Sequence, residues 1–417
     1  MLRGPRLYVM AWRNLWRNRR RTIITVSSLA FGVMMAVVFT GLTDQSLGDA
    51  IDLAARMSNG HVTIQAHDYR DSPSLERTVD GNAELRARLA SDRDVARVVP
   101  RISGQMVAAT ASDSFGAGFV ALDPALDDQE SFTPLGQIVE GKLFARDDAQ
   151  GIVLGKVLAH NLGATVGKKV VYTMTDKHGE IVSGLGRVTG ILATGSPSAD
   201  AALCLLPIAA VRKLLGYGPD EATQLAIYLR DQRVAPETAR RLRALVPAGA
   251  TALDWAEVNP DLAGFVSVKV AGSEVIEAFV ILLIAAGIFN TLFMSVMERL
   301  REFGILLAIG FSPGRLFRLV VWESLWLALV GLASGVVVTL PLYRWLHTHG
   351  IDMTSRVGGN KVEIAGAVMS MVVRATIYPD HAVVIALAIV GVTMLSGIYP
   401  AWRAARVQPV DAIKLGY

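Results

Sequence analysis

The chain has 417 residues, of which 52% are hydrophobic and 19% are charged, and its formal net charge is +4. With a mean hydropathy of +0.40, this composition is too apolar for an ordinary soluble protein of this length and predicts membrane spans. The single cysteine, Cys204, excludes an intrachain disulfide and a cysteine-based zinc site.

The first 21 residues carry seven Arg and no acidic residue. In the stretch AWRNLWRNRRR, tryptophans and arginines are interleaved as in a helix that lies in the membrane interface. We therefore predict a cytoplasmic amphipathic helix over residues 1–21. Its expected interface anchors are Trp12, Arg13, Trp16, Arg17, Arg19, Arg20 and Arg21.

Four apolar runs are long enough to cross a bilayer as helices, which takes about 20 residues. The predicted spans are residues 22–42, 275–297, 320–346 and 382–402. The first is expected to be an uncleaved anchor, because its 21 uncharged residues exceed a usual signal peptide and no small-residue cleavage site follows promptly.

Lys and Arg beside the spans are concentrated in three segments, and translocation of such charges is costly. Residues 1–21, 298–319 and 403–417 are therefore predicted to be cytoplasmic, with both termini inside the cell. Residues 43–274, with 23 basic and 29 acidic side chains, are predicted to lie outside, together with the loop 347–381. The net charge thus reflects membrane topology and does not indicate nucleic-acid binding.

The segment 43–274 is long enough for one or two folded domains. Apolar–polar alternation predicts strands in it, and helical periodicity predicts amphipathic helices. The predicted strands are HVTIQAHDY (61–69), VVYTMT (170–175) and VSGLGRVTGIL (182–192), and the predicted helices are ELRARLASD (84–92), AAVRKLL (209–215) and ETARRLRALV (237–246). An α+β domain is therefore expected.

Several short motifs suggest chemistry that their context excludes. GFSPG matches the nucleophile elbow of hydrolases, but the elbow uses the N–H of the residue after the serine, and Pro313 has none. We predict instead a helix end at Gly310, Ser312 as the next N-cap and Pro313 at the first helical position. GATVGKK and GIVLGK lack the spacing of a phosphate loop, and the histidines form no zinc motif. No catalytic, cofactor-binding or metal-binding residue is predicted.

Few polar residues lie within the predicted spans, where each is costly. Glu277 and Glu323 lie near span ends. Two roles are open for each of them: contact with headgroup water, or a buried functional role. Asn290 lies in the middle of a span, where either hydrogen bonding to another helix or contact with a transported headgroup is expected. The small residues of GLASG (331–335) predict close packing between helices.

The charges at the start of segment 298–319 precede a run with helical spacing that is apolar almost all round after Glu302. A helix that lies only on lipid would carry Lys and Arg along its whole polar face. A protein groove as well as a lipid surface is therefore the predicted environment of this helix, and a groove on a cytosolic partner is the candidate.

Three motifs identify a resemblance. SVMERLREFGILLAIGFSPGRLFRLVVWES, with AWRNLWRNRRRT near the start and YPAWRAARVQPVDAIKL at the end, strongly resembles the FtsX/MacB-type ABC transporter permeases, including the LolC/LolE lipoprotein-releasing subunits. The family pattern E-R-x-R-E-I-G-x-x-x-A-x-G is matched except that Phe303 replaces the usual Ile. IVLGKVLAHNLGATVGKKV also resembles a stretch of the MacB periplasmic domain. The resemblance implies a bacterial inner-membrane protein with a periplasmic α+β domain that has Porter- and Sabre-type subdomains.

The resemblance further implies that the segment after the second span is a coupling helix, which binds in a groove of a separate ATPase subunit. The residues to which this role is carried over are Glu298, Arg299, Arg301, Glu302, Phe303, Gly304, Leu307, Ala308 and Gly310. The chain is then a non-catalytic subunit without a cofactor of its own, because a cytoplasmic ATPase dimer binds ATP and Mg²⁺. A second permease, identical or related, completes the transporter.

The implied function is mechanotransmission, in which ATP hydrolysis by the partner moves the periplasmic domain and extracts lipoproteins or another lipidated substrate from the membrane. A periplasmic chaperone or adaptor is a further candidate partner, and membrane lipids surround the spans. Two alternatives are open: a MacB-like tripartite exporter of small molecules or peptides, and an FtsX-like regulator of cell-wall hydrolases. The 232 residues of segment 43–274 count against the second, since external domains of that class are usually far smaller.

Overall fold

The computed structural model divides the chain into two compact units. The helical unit comprises residues 1–46, 268–353 and 372–417, and the α+β unit comprises residues 47–267 and 354–371. The residues that the structure describes are 7–57, 59–146, 148–353, 363–364, 367–368 and 372–406. The part of the predicted cytoplasmic tail that follows Arg406 lies outside the described residues. So does most of the segment 354–371, which belongs to the predicted loop 347–381.

The helices are numbered in chain order. They are α1 (Leu7–Arg17), α2 (Arg19–Met57), α3 (Ala83–Ala90), α4 (Lys156–Asn161), α5 (Pro197–Ala202), α6 (Ile208–Leu215), α7 (Ala235–Arg243), α8 (Trp255–Val258), α9 (Pro260–Glu298), α10 (Leu300–Ala308), α11 (Pro313–Thr348) and α12 (Pro379–Ala405), with short 3-10 helices at Thr133–Gln137 and Gln232–Val234. Helices α2, α9, α11 and α12 are long and apolar enough to cross a membrane.

The strands are also numbered in chain order. They are β1 (Val62–Ala66), β2 (Val79–Asp80), β3 (Val95–Ala109), β4 (Ser114–Leu122), β5 (Ile138–Gly141), β6 (Gly151–Gly155), β7 (Lys169–Thr175), β8 (Ile181–Leu192), β9 (Leu203–Pro207), β10 (Glu221–Ala222), β11 (Gln224–Leu229), β12 (Ala250–Asp254), β13 (Ile351–Asp352), β14 (Glu363–Ile364), β15 (Ala367–Val368) and β16 (Val372–Val373).

The four apolar helices are predicted by the sequence, but two of them are much longer than the predicted spans. Helix α2 continues to Met57 and α9 begins at Pro260, because bilayer thickness limits the apolar run and not the helix that contains it. The helix predicted over residues 1–21 is divided between two helices in the structure. Helix α1 ends at Arg17, and Arg19 is the first residue of α2.

Small residues allow close packing in the helical unit, as GLASG predicts. A Cβ atom added to Gly331 would lie 2.6 Å from Leu29 Cδ1, and one added to Gly335 would lie 2.6 Å from Val33 Cβ. Both α2 side chains are buried. Because no real Cβ contact is that short, α2 and α11 approach each other this closely only with glycine at these two positions.

Replacing Gly335 by Leu is expected to separate α2 from α11 and to destabilise the helical unit by about 1–3 kcal/mol through overpacking. The matched control is Gly391→Leu, since an added Cβ there has nothing within 4 Å. Thermal unfolding of both variants in the same detergent measures the difference. Equal melting temperatures for the two variants would contradict the close α2–α11 packing.

The α+β unit is built on a ten-stranded mixed sheet. Its strand order is β12-β1-β11-β3-β4-β9-β6-β8-β5, with β7 paired to β3 and β8. The pairs β4–β9 and β6–β8 are parallel, and the other pairs of this sheet are antiparallel. The predicted strands correspond to β1, β7 and β8, and the predicted helices correspond to α3, α6 and α7. The α+β prediction is therefore confirmed.

Two apolar clusters form the main cores of this unit. One contains Val62 and Ile64 of β1 with Leu242 of α7. The other contains Tyr172 of β7 and Val211 of α6, among others. The 15-residue strand β3 contributes to both cores, through Val95 near its start and through Met106 near its end among other residues. The single sheet therefore supports two centres of packing.

Candidate coupling site

The predicted coupling segment is a separate short helix between two long ones. Helix α9 ends at Glu298, Arg299 is at the N-cap position of α10, and α10 ends at Ala308. Gly310 has a φ of +94°, a left-handed conformation that favours glycine and ends the helix. Ser312 occupies the N-cap position of α11, as predicted, but within the described part of the chain its side chain makes no capping hydrogen bond.

One face of α10 is packed inside the helical unit. Phe303 and Gly304 are buried. Phe303 belongs to an apolar cluster whose other buried members are Ala11 of α1, Val296 of α9, Leu316, Leu319 and Val320 of α11, and Ala401 and Ala404 of α12. Leu307 is half-buried against the same cluster. Phe303 and Leu307 of the predicted coupling set therefore contact this chain's own helices, and Gly304 beside them is also buried.

Charged side chains link the start of α10 to α1 and α11. Arg299 Nη1 lies 2.9 Å from Glu323 Oε2, and Asn14 Nδ2 donates to Glu323 Oε1 over 2.7 Å. Glu302 accepts from Arg17, and its carboxylate lies 3.3 Å from Arg299 Nε. The sequence leaves the role of Glu323 open. In the structure this glutamate pairs with Arg299, a residue of the predicted coupling segment.

The pair between Arg17 and Glu302 is charged at neutral pH. The hydrogen bond from Arg17 lowers the pKa of Glu302 below its ordinary value, and the same bond raises the pKa of Arg17. Their side chains are 55% and 47% exposed, so solvent limits the pair to less than about 1 kcal/mol. The Arg17–Glu302 pair therefore contributes little to the free energy of folding, and its main effect is to hold α1 beside α10.

The predicted interface anchors occupy two environments. Arg21 lies 2.8 Å from Glu298, so Arg21 and Arg17 contact carboxylates of the coupling segment, although the sequence assigned both to anionic lipid. The tryptophans do lie on an exposed surface of α1, where the Trp12 ring is 5.8 Å from Trp16 and 5.1 Å from Trp326 of α11. The remaining anchors, all exposed, are Arg13, Arg19 and Arg20.

The opposite face of α10 and the turn after it are exposed. Of the predicted coupling residues, Arg301, Ala308 and Gly310 lie there. Ile305 and Ile309, which are 47% and 75% exposed, complete this surface. We call these five residues the α10 patch. Both isoleucines lie within the predicted coupling segment, and their i, i+4 spacing places them on one face.

The polar residues of the predicted second span differ in their surroundings. Asn290 lies exposed on α9. Glu277 accepts a hydrogen bond from Thr40 of α2, so this glutamate joins two of the apolar helices. The contact with Thr40 assigns no substrate role to Glu277. For Asn290, hydrogen bonding to another helix and contact with a transported headgroup both stay predictions.

Two known family models match most of the chain. Residues 22–245 match the MacB-like periplasmic core domain, and residues 275–409 match the FtsX-like permease C-terminal family. The chain belongs to the FtsX/MacB permease family. This FtsX/MacB-type permease is accordingly a membrane protein with four apolar helices and a MacB-like periplasmic domain.

Relatives of this permease have several described roles. It is 28% identical to the lipoprotein-releasing system transmembrane protein LolC of Xylella fastidiosa, over 63% of this chain and 64% of that protein. It is 26% identical to the pyoverdine export ATP-binding/permease protein PvdT of Pseudomonas entomophila, over 97% of this chain and 58% of that protein. With LolC of Neisseria meningitidis the identity is 22% over 94% of both. The first two matches thus span less than two thirds of each relative.

Proposed function

We propose that the chain is the non-catalytic permease subunit of an ABC transporter in the bacterial inner membrane. Both termini and α10 lie in the cytoplasm, and the α+β unit lies in the periplasm. A cytoplasmic ATPase dimer binds ATP and Mg²⁺, and a second permease, identical or related, pairs with this one. Membership of the FtsX/MacB permease family supports this assignment, as does the concentration of Lys and Arg in residues 1–21, 298–319 and 403–417.

The proposed activity is mechanotransmission, in which ATP hydrolysis by the partner moves the periplasmic α+β unit and releases lipoproteins or another lipidated substrate from the membrane. The matches to two LolC proteins, one of them over 94% of both chains, support a lipidated substrate. A periplasmic chaperone that accepts the released substrate is then expected.

Export of a small molecule or peptide through a MacB-like tripartite assembly is the second candidate. The match to PvdT over 97% of this chain favours it. The two candidates differ in their periplasmic partner, since an exporter requires an adaptor that reaches the outer membrane. Regulation of a cell-wall hydrolase has weaker support, because the α+β unit is large.

The observation that carries the proposal is the α10 patch. Its exposed isoleucines and Arg301 project from a helix whose other face is fixed by Phe303 and by the pairs of Arg299. An apolar surface on a short, fixed helix fits a groove on a partner protein. An isolated lipid-facing helix would instead be expected to carry basic residues along its polar side.

The double variant Ile305→Glu/Ile309→Glu is expected to release the ATPase, because two carboxylates would be buried without partners in the groove. Affinity purification of the tagged chain from its native membranes, with quantitation of the ATPase per chain, measures this. We expect at least a tenfold loss of ATPase, which corresponds to about 1.4 kcal/mol or more.

The matched control is Ile181→Glu. Ile181 is 80% exposed but belongs to β8 of the α+β unit, so this variant should retain the ATPase. Full retention by the Ile305→Glu/Ile309→Glu variant, or an equal loss by Ile181→Glu, would overturn the assignment of the α10 patch.

A further inference from the structure

A polar cavity of about 330 Å³ lies inside the helical unit, beside the start of α10. Helices α1, α2, α9, α10 and α11 all contribute lining residues. The apolar lining residues are Leu15, Leu292 and Leu327, and the other described lining residues are polar or charged. Cavities of about 300–1,000 Å³ are the usual size of ligand sites, so this cavity has room for a small polar group.

The charges around the cavity are balanced. Three arginines and three glutamates line it, and they form the pairs Arg17–Glu302, Arg21–Glu298 and Arg299–Glu323. The wall therefore carries no net charge. A ligand with one positive and one negative group is complementary to such a wall, whereas a lone ion of either sign would be left uncompensated.

The ion pairs leave accessible hydrogen-bonding groups at the cavity. Arg21 uses only Nη1 for Glu298, although a guanidinium has five N–H donors. In the described part of the chain, Arg21 Nε, Arg21 Nη2 and the Ser295 hydroxyl have no partner, and none of these atoms is buried. The side chains of Arg17 and Glu298 are 55% and 56% exposed. A ligand can therefore reach the cavity without breaking the ion pairs.

The cavity lies at the depth of the lipid headgroups. Arg21 immediately precedes the first predicted span, and Glu298 immediately follows the second. Thr25 and Thr291, which also line the cavity, lie within these spans, so the cavity extends about one to two helical turns toward the apolar region. The headgroup layer adjoins the hydrocarbon core at this level. Ile24 of α2 is 64% exposed here, so lipid surrounds α2 beside the cavity.

We propose that this cavity binds the headgroup of a zwitterionic phospholipid that carries a primary ammonium, of the phosphatidylethanolamine class. The phosphate accepts from Arg21 and Ser295, as charge-assisted hydrogen bonds favour. The ammonium donates to the carboxylates of Glu298 and Glu302, and the acyl chains stay in the bilayer. The inference goes beyond the proposed function, because it concerns a resident lipid and neither the transported substrate nor the ATPase.

The proposed lipid connects three helices. Arg21 belongs to α2, Ser295 and Glu298 lie three residues apart on one face of α9, and Glu302 belongs to α10. A choline headgroup has the same net charge but no N–H donor for the carboxylates, and a glycerol headgroup has no ammonium. The site should therefore discriminate among phospholipids by their headgroups.

The experiment is native mass spectrometry of the full chain, delipidated in detergent and titrated with three phospholipids that have the same acyl chains. Phosphatidylethanolamine is expected to bind at least tenfold more tightly than phosphatidylcholine, because only the former donates hydrogen bonds to Glu298 and Glu302. It should also bind at least tenfold more tightly than phosphatidylglycerol, whose negative charge the neutral cavity does not compensate.

Two variants separate the two halves of the headgroup. Arg21→Met removes donors to the phosphate and should weaken binding of phosphatidylethanolamine and phosphatidylcholine about tenfold each. Glu298→Gln removes an acceptor charge for the ammonium. It should weaken phosphatidylethanolamine about tenfold and leave phosphatidylcholine unchanged. If the Arg21–Glu298 pair were only structural, each variant would affect both lipids equally.

The matched control is Arg20→Met. Arg20 is exposed in the same first turn of α2, but it is not among the described residues that line the cavity. This variant should bind phosphatidylethanolamine as the wild type does. An equal loss in Arg20→Met and Arg21→Met would show that the lipid binds to the basic segment as a whole and not in the cavity.

A second measurement uses a lining residue to which the proposal assigns no contact. The single natural cysteine, Cys204, is fully buried, so Asn18→Cys, at an exposed lining position, is the site expected to react with maleimide. The reaction should be at least fivefold slower in phosphatidylethanolamine nanodiscs than in phosphatidylcholine nanodiscs. In the latter, soluble glycerophosphoethanolamine should slow it and inorganic phosphate should not.

Three results would overturn the inference: equal binding of the ethanolamine and choline lipids by the wild type, wild-type binding of phosphatidylethanolamine by Arg21→Met, or equal weakening of both lipids by Glu298→Gln. Protection of Asn18→Cys by inorganic phosphate would assign the cavity to a free anion instead. Because these assays contain neither ATPase nor transported substrate, their failure leaves the proposed function intact.

Discussion

Replacing Arg101 by Met is expected to destabilise the α+β unit by about 3–5 kcal/mol, because it leaves the Asp127 carboxylate buried without its counter-ion. Both side chains are fully buried, and Arg101 Nη2 lies 2.5 Å from Asp127 Oδ1. The guanidinium also lies 4.3 Å from the centre of the Phe132 ring and 5.7 Å from that of Tyr228. Burial raises the pKa of Tyr228 to about 12, so the Tyr228 hydroxyl is uncharged at neutral pH.

Native-state hydrogen exchange of β3 and β11, measured by mass spectrometry on the full chain, reports the stability of this region. The double variant Arg101→Met/Asp127→Leu should recover most of the loss, because replacement of a buried ion pair by apolar residues is often neutral. A double variant as unstable as Arg101→Met alone would show that packing, and not the unpaired charge, causes the effect.

Arg97→Met is the matched control on the same strand. Arg97 lies 2.7 Å from Asp128, but these side chains are 37% and 45% exposed. Since exposed ion pairs contribute about 0–1 kcal/mol, this variant should exchange nearly as the wild type does. If Arg97→Met and Arg101→Met were equally destabilised, burial would not be the cause.

The features predicted best from the sequence are those set by local periodicity. Residues 170–175 alternate in polarity and form most of β7, and residues 237–246 have helical spacing and overlap α7. The four apolar runs are equally local signals. The ends of α2 and α9 are not predicted, because the flanking residues are compatible with a helix and the bilayer criterion concerns only the apolar run.

The contacts of the candidate site depend on residues far apart in the chain. Arg17 and Glu302 are separated by 285 positions, and Arg21 and Glu298 by 277. An Arg near a span resembles a lipid anchor in sequence whether or not a carboxylate approaches it in the fold. The seven arginines of residues 1–21 therefore could not be divided into lipid-facing and protein-facing sets.

The burial of Phe303 illustrates a second limit. After Glu302, α10 is apolar nearly all round. The pattern therefore indicates an apolar environment on each side of the helix, but it does not say which face packs against this chain's own helices and which stays exposed. In the structure α1, α9, α11 and α12 cover Phe303, and Ile305 and Ile309 are left exposed. We therefore expect the proposed partner surface to include Ile305 and Ile309, toward the end of the helix.

Replacing Glu323 by Ala is expected to uncouple the proposed transporter while the ATPase stays bound. The Glu323 side chain is only 13% exposed and pairs with Arg299 at the start of α10. It also accepts from Asn14 of α1, so it connects three helices. The variant leaves the α10 patch unchanged but removes the main partner of Arg299, whose side chain is only 16% exposed. Force on α10 then reaches α11 only through packing and through the short turn 309–312 that joins the two helices.

The measurement is the ATP-dependent change in hydrogen exchange of the α+β unit, with the ATPase bound in nanodiscs. We expect this change to fall about tenfold in Glu323→Ala, within the usual range of coupling energies, with the ATPase content of the complex unchanged. The reversed pair Arg299→Glu/Glu323→Arg should restore part of the response, because opposite charges again meet across α10 and α11. A full response in Glu323→Ala would show that the ion pair is structural only. Loss of ATPase from this variant would show that Glu323 supports the α10 patch itself and does not transmit force from it.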